Sequence, residues 1–268
     1  MRVDAALASL REGRPVFTVD STGAGAVVLA AHGVDMKWVA WTVRHTSGLL
    51  CAPMSEARAD ELDLPPMVPR NQVTLDDQYT VSVDARHGVT TGISAVDRAR
   101  TFRTLAAPCT SPADLVRPGH VLPLCTHSGG VFERLTHPEA AVDLCTLAGL
   151  PQVAVLATLV ADQGHVLPRA GIEDLAAKHT LLFWTSPSCS RIPAGRSMPI
   201  EGPVVQRDWR TAPSPHTSSR NAPLHEISCS TLPAARVPPP ARRPPLRKAM
   251  QRHFQSVSGS RASGSKAL

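Results

Sequence analysis

Apolar residues recur at two periods along the first two thirds of this chain, one of about 3.6 and one of 2. Val3, Ala6, Leu7 and Leu10 stand at helical spacing, and Gly13 followed by Pro15 stops that helix. Residues 15–19 predict a strand, residues 20–26 (Asp-Ser-Thr-Gly-Ala-Gly-Ala) a flexible loop, and residues 27–31 a second apolar strand. Met36, Val39, Ala40 and Val43 mark an amphipathic helix, residues 49–52 a strand carrying Cys51, and residues 55–62 an acidic helix that ends before Pro65-Pro66. Tyr79, Val81 and Val83 alternate with Thr80, Ser82 and Asp84, the mark of a half-buried strand.

Later segments continue the pattern. Residues 121–124 predict a short strand and residues 139–147 a helix with Ala140, Ala141, Leu144 and Leu147 inward and Pro138 in its first turn. Residues 153–160 form a nearly continuous apolar run, as expected of a strand covered on both faces. A helix over 172–179 and a strand over 181–184 follow. Tight and crossover connections intermix, so the predicted fold is α+β: a mixed, twisted β-sheet flanked by helices in three layers.

Charge divides the chain. Its net charge of +6 hides 15 Lys and Arg against 19 Asp and Glu in residues 1–185, and 13 against 3 in residues 186–268. The second segment also holds 13 of the 25 prolines and keeps no helical or strand period. Such a composition does not bury enough apolar surface to offset ordering entropy. Two units are therefore expected: a globular domain over residues 1–185 and a disordered basic tail over 186–268. The tail reads either as a biological extension or as an out-of-frame reading of a GC-rich gene. Its dispersed Lys and Arg, with little aromatic interleaving, support at most a nonspecific nucleic-acid-binding arm. Six cysteines without CxxC pairing read as reduced thiols rather than a disulfide frame or zinc site. No apolar run reaches a membrane span, and a soluble cytoplasmic protein is expected.

Candidate chemistry starts at residues 79–103, which read strand, loop, helix. The loop Val89-Thr90-Thr91-Gly92-Ile93-Ser94 places hydroxyls and free amides at a helix N-terminus, with Ser94 as N-cap and Asp97 in the first turn. Such a terminus is either a seat for a phosphate or an ordinary capped helix.

The phrases ALASLREGRPVFTVD (6–20), VRHTSGLLCAPM (43–54), LDLPPMV (62–68), YTVSVDARHGVTTGISAVDRART (79–101), VRPGHVLPL (116–124) and GGVFERLTHPEAAVDLCTLAGL (129–150) follow in fixed order. Together they resemble the 3,4-dihydroxy-2-butanone-4-phosphate synthase family of riboflavin biosynthesis. That resemblance implies a carbon–carbon lyase fold, ribulose 5-phosphate as substrate, Mg²⁺ or Mn²⁺ as cofactor, and a homodimer with active sites near the subunit interface. It assigns catalytic positions to His120 and Cys51, substrate binding to Arg134, Thr90, Thr91 and Ser94, and metal binding to His137.

Three departures bear on activity. Typical members carry an acidic loop, approximately DDEDRENEGD, where this chain has the uncharged residues 21–26, about three residues shorter. Thr158 replaces an essential Glu, and Arg134-Leu135-Thr136-His137-Pro138 stands for the family's RPGHT turn. Ser and Thr are poor ligands for a hard dication. The sequence thus predicts catalysis lost or strongly impaired; the alternative is a non-catalytic homologue that dimerises or binds a sugar phosphate. Plainer roles stand beside each surviving residue: His137 as a capping residue, Cys51 as a small buried hydrophobe, His120 as a partner of a nearby carbonyl.

Overall fold

The structure, a computed structural model, describes residues 3–20, 22–72 and 77–185. The expected tail, residues 186–268, lies outside the described residues. The first helix, α1 (Val3–Arg11), turns its Ala6, Leu7 and Leu10 inward, as the spacing predicts. Strand β1 (Val16–Val19) is buried throughout and pairs antiparallel with β2 (Gly25–Ala30). The predicted 20–26 loop is therefore shorter than expected, since Gly25 and Ala26 already belong to β2. Asp20 causes this tightening: its Oδ1 accepts from the Thr22 and Ala24 amides, and its own amide donates to the Ala24 carbonyl.

Next come α2 (Met36–His45), capped by Asp35, then β3 (Cys51–Ser55) and α3 (Glu56–Glu61), capped by Ser55. The predicted strand at 49–52 is displaced towards Ser55 because β3 pairs in parallel with β6 (Leu115–Thr126) over its full length. The alternating stretch at 79–84 divides into β4 (Gln78–Tyr79) and β5 (Val83–Ala85), both antiparallel to β6. Between them the Val81 amide turns to the Pro65 carbonyl, interrupting a single ladder. The remaining elements are α4 (Ala95–Ala106), α5 (His137–Leu147), β7 (Ala154–Thr158), α6 (Arg169–His179) and β8 (Leu182–Thr185).

These strands form one mixed sheet in the order β4-β6-β3-β7-β2-β1-β8, with β5 joined to β6. Side-chain alternation sorts the sheet's residues into two cores. Val16, Ala26, Val28, Cys51 and Leu156 face α1 and α5. Phe17, Val19, Val27, Leu29 and Val155 face the side carrying Val39 of α2, Phe102 of α4 and Ile172 of α6. The result is the three-layer, mixed-sheet α+β fold expected from the pattern. No helix among the described residues is long and apolar enough to cross a membrane, and Cys51, Cys109, Cys125 and Cys145 are free thiols.

Candidate functional site

The end of the sheet under the N-terminus of α5 gathers the first group. Thr18 of β1 shares a face with Val16, so its hydroxyl points toward α5 and meets Nδ1 of His137 at 2.8 Å. Nε2 of the same ring is buried without a hydrogen-bond partner, and Oδ2 of Asp20 stands 3.4 Å from it. At that length the contact is electrostatic and too long for a well-formed hydrogen bond. Burial pushes the Asp20 carboxyl up, but the His137 ring and the Thr22 hydroxyl and amide outweigh it and hold the group at about 2. Asp20 is thus a site residue that sequence reading left in a flexible loop.

A second group follows along the same face. Glu139 is fully buried and accepts from Nε of Arg134 at 2.9 Å and from the His127 amide at 3.2 Å, with Nη2 of Arg134 at 2.7 Å and the Thr136 hydroxyl as further partners. Nη1 of Arg134 lies 3.6 Å from Asp77. Cys51 is buried nearby: burial first, then the Asp77 charge, push its thiol up to about 12. Near neutral pH it stays a thiol, which fits a packed hydrophobe rather than a nucleophile.

The third group lies beside the middle of β6. His120 donates its backbone amide to Oδ1 of Asp84 at 3.0 Å and pairs through Nδ1 with Oδ2 at 2.7 Å. The 88–94 loop folds over this dyad, and Gly92, at φ +84°, passes so close that a Cβ there would strike Asp84 and His120. The candidate phosphate seat is internally engaged. The Thr90 amide and hydroxyl and the Gly92 amide donate to Asp97, whose own amide donates to Ser94 Oγ. Burial alone would raise the Asp97 carboxyl, but those donors hold it below its ordinary range. Thr91 is exposed at the loop's tip. Within one chain, His120 and the Arg134–Glu139 pair are set apart by the seven extended residues leading to His127, roughly 20 Å.

Thr158, at the exposed end of β7, pairs in register with Ala26 of β2, which in turn pairs with Thr18. Thr18, Ala26 and Thr158 thus form a row across three strands on the α5 face, with His137 above one end.

The 3,4-dihydroxy-2-butanone 4-phosphate synthase family model matches residues 4–188. The chain belongs to this family. Riboflavin biosynthesis protein RibBA of Salinispora arenicola is 48% identical over 186 residues, covering 68% of this chain and 44% of that protein. The chain therefore spans less than half the length of that relative. 3,4-Dihydroxy-2-butanone 4-phosphate synthase of Cronobacter sakazakii is 41% identical over 193 residues, covering 66% of this chain and 89% of the relative. A crystal structure of a 3,4-dihydroxy-2-butanone 4-phosphate synthase in complex with two magnesium ions superposes with a TM-score of 0.67 at 38% identity, covering 69% of this chain and 93% of that one.

That relative's magnesium sets a test for the residues present here. His137 offers a buried, orphaned Nε2 beside the Asp20 carboxylate. Among the described residues no group of three His, Cys, Asp or Glu converges on a common point. Two protein donors fit only a cation that keeps most of its water.

Proposed function

We propose that this chain is a 3,4-dihydroxy-2-butanone-4-phosphate synthase relative whose catalysis is lost or strongly impaired, while the scaffold and a weak hold on ribulose 5-phosphate or another sugar phosphate are kept. The cross-strand pair of Ala26 and Thr158 carries the reading. Ala26 closes the segment where typical members are acidic, and Thr158 stands where they have an essential Glu. Forming butanone phosphate and formate from ribulose 5-phosphate requires proton transfers at carbons next to a carbonyl. A threonine hydroxyl does not titrate near neutral pH, and Cys51, held up at about 12, supplies no base in its place. Losing such a group costs several orders of magnitude in rate.

A divalent cation, when bound, stabilises enediolate charge in this chemistry; His137 and Asp20 are the residues that would hold it. Binding groups survive better than proton carriers. Arg134 is held beside the first turn of α5 by Glu139, and His120 is oriented by Asp84. In one chain these lie roughly 20 Å apart along β6, and pairing of two copies is the arrangement that would unite them. We accordingly take the functional unit to be a homodimer.

The purified chain, given ribulose 5-phosphate and Mg²⁺, is expected to release formate at background rate only. Robust Mg²⁺-dependent formate production that disappears in His137→Ala would overturn the reading. Recovery of turnover after an acidic loop and Thr158→Glu are introduced together would show that the scaffold lacks nothing else.

A further inference from the structure

Three observations converge on Asp20. First, its carboxylate is aimed by its own loop: Oδ1 accepts from the Thr22 amide at 2.8 Å, the Thr22 hydroxyl at 2.7 Å and the Ala24 amide at 3.1 Å, which turns Oδ2 toward His137. Second, the imidazole is fixed from behind. Thr18 Oγ1 hydrogen-bonds Nδ1 of His137 at 2.8 Å. The ring's other nitrogen, Nε2, is the buried atom with no hydrogen-bond partner, and it faces Asp20. Third, the carboxylate oxygen and this nitrogen are 3.4 Å apart. Two donors about 2.0–2.2 Å from a shared cation, at angles between octahedral and tetrahedral, stand roughly 3.0–3.5 Å apart.

We propose that Asp20 has become the carboxylate ligand of a hydrated divalent cation shared with His137, with Thr18 as the residue that positions the ring. The mixed imidazole and carboxylate pair suits Mn²⁺ better than Mg²⁺, which favours all-oxygen shells. Thr18 plays the part that outer partners play at imidazole-ligated metals, fixing the ring's orientation. The inference relies on the proposed function only for where the site lies, because cation binding is measured independently of formate release.

The test is titration of the EDTA-stripped full chain with MnCl₂, followed by the electron paramagnetic resonance signal of free Mn²⁺ and by thermal unfolding. One ion per chain and a higher Tm with Mn²⁺ are expected. Asp20→Asn and His137→Ala should abolish both effects, and Thr18→Val should weaken binding roughly ten- to a hundredfold. Should Asp20→Asn fail to fold, the near-isosteric Thr18→Val carries the comparison. Absence of Mn²⁺ binding at millimolar concentration would overturn the proposal and leave Asp20 and His137 as an internal contact only. Wild-type affinity in Asp20→Asn would overturn it equally.

Discussion

The Arg134 guanidinium and Glu139 carboxylate share a pocket in which the glutamate has no exposed surface and the arginine side chain is 13% exposed. Desolvating both groups is costly, and their attraction offsets that cost only while both are present. Glu139→Ala is expected to destabilise the fold by about 3–5 kcal/mol, since it takes from the largely buried Arg134 charge its fully buried, hydrogen-bonded partner. Urea unfolding would read this directly, and a loss under about 1 kcal/mol would mean that water reaches the pair. Cys51 gives a second expectation at this scale. With its thiol pushed up to about 12, it should resist iodoacetamide in the native protein while exposed Cys109 reacts; peptide mass spectrometry would show equal labelling if the packing were looser.

Residue identity showed only the local part of this chemistry in advance. Ser94 as cap and Asp97 in the first turn were legible, because both act within a few residues of themselves. Asp84 with His120 and Asp20 with His137 were not, because each pair is made by elements brought together from distant parts of the chain, and Glu139 with His127 was not, because a turn between β6 and α5 folds the one back onto the other. Asp84 takes a polar position of the alternating stretch, so the pattern alone gave no sign that the fold buries it.

Among the elements, helices were read with little error because their apolar stripes face one layer. Strand limits moved instead, since partners set them: β6 extends over 12 residues where four were expected, held by β3, β4 and β5 together. The ends of α2 and α6 meet through Trp41, His45 and His179, with ring centroids 4.5 Å apart for Trp41 and His45 and 5.2 Å for the two histidines. Burial first, then the charges of His179, Arg44 and Lys178 against that of Asp162, lower the His45 pKa in the folded state. The unfolded chain then binds the extra proton more readily. Stability contributed here is complete above the ordinary value of 6.5 and lost as pH falls from there through the folded value. Tm should drop between pH 7.5 and 5.5, and His45→Gln should flatten part of that slope; an unchanged slope in the variant would remove His45 as its source.

At the scale of the whole molecule, the three layers close within the described residues, with β8 pairing in parallel beside β1. We expect limited proteolysis to trim the 268-residue chain toward a fragment ending near residue 185. A tail as resistant as the body would refute the two-part organisation. Sedimentation should give a dimer at micromolar concentration, and a monomer alone would remove the paired site from the functional reading.

The pairing of Ala26 with Thr158 also sets an order for rebuilding. Thr158 lies on the rim, where a glutamate carboxylate would keep its hydration, so that substitution should be tolerated alone. Ala26 is 1% exposed, and an aspartate there would enter the layer beneath α5 with no cation beside it until a longer loop lifts it out. A lineage or a library starting from this chain would find the rim change freely accessible and the inner one closed.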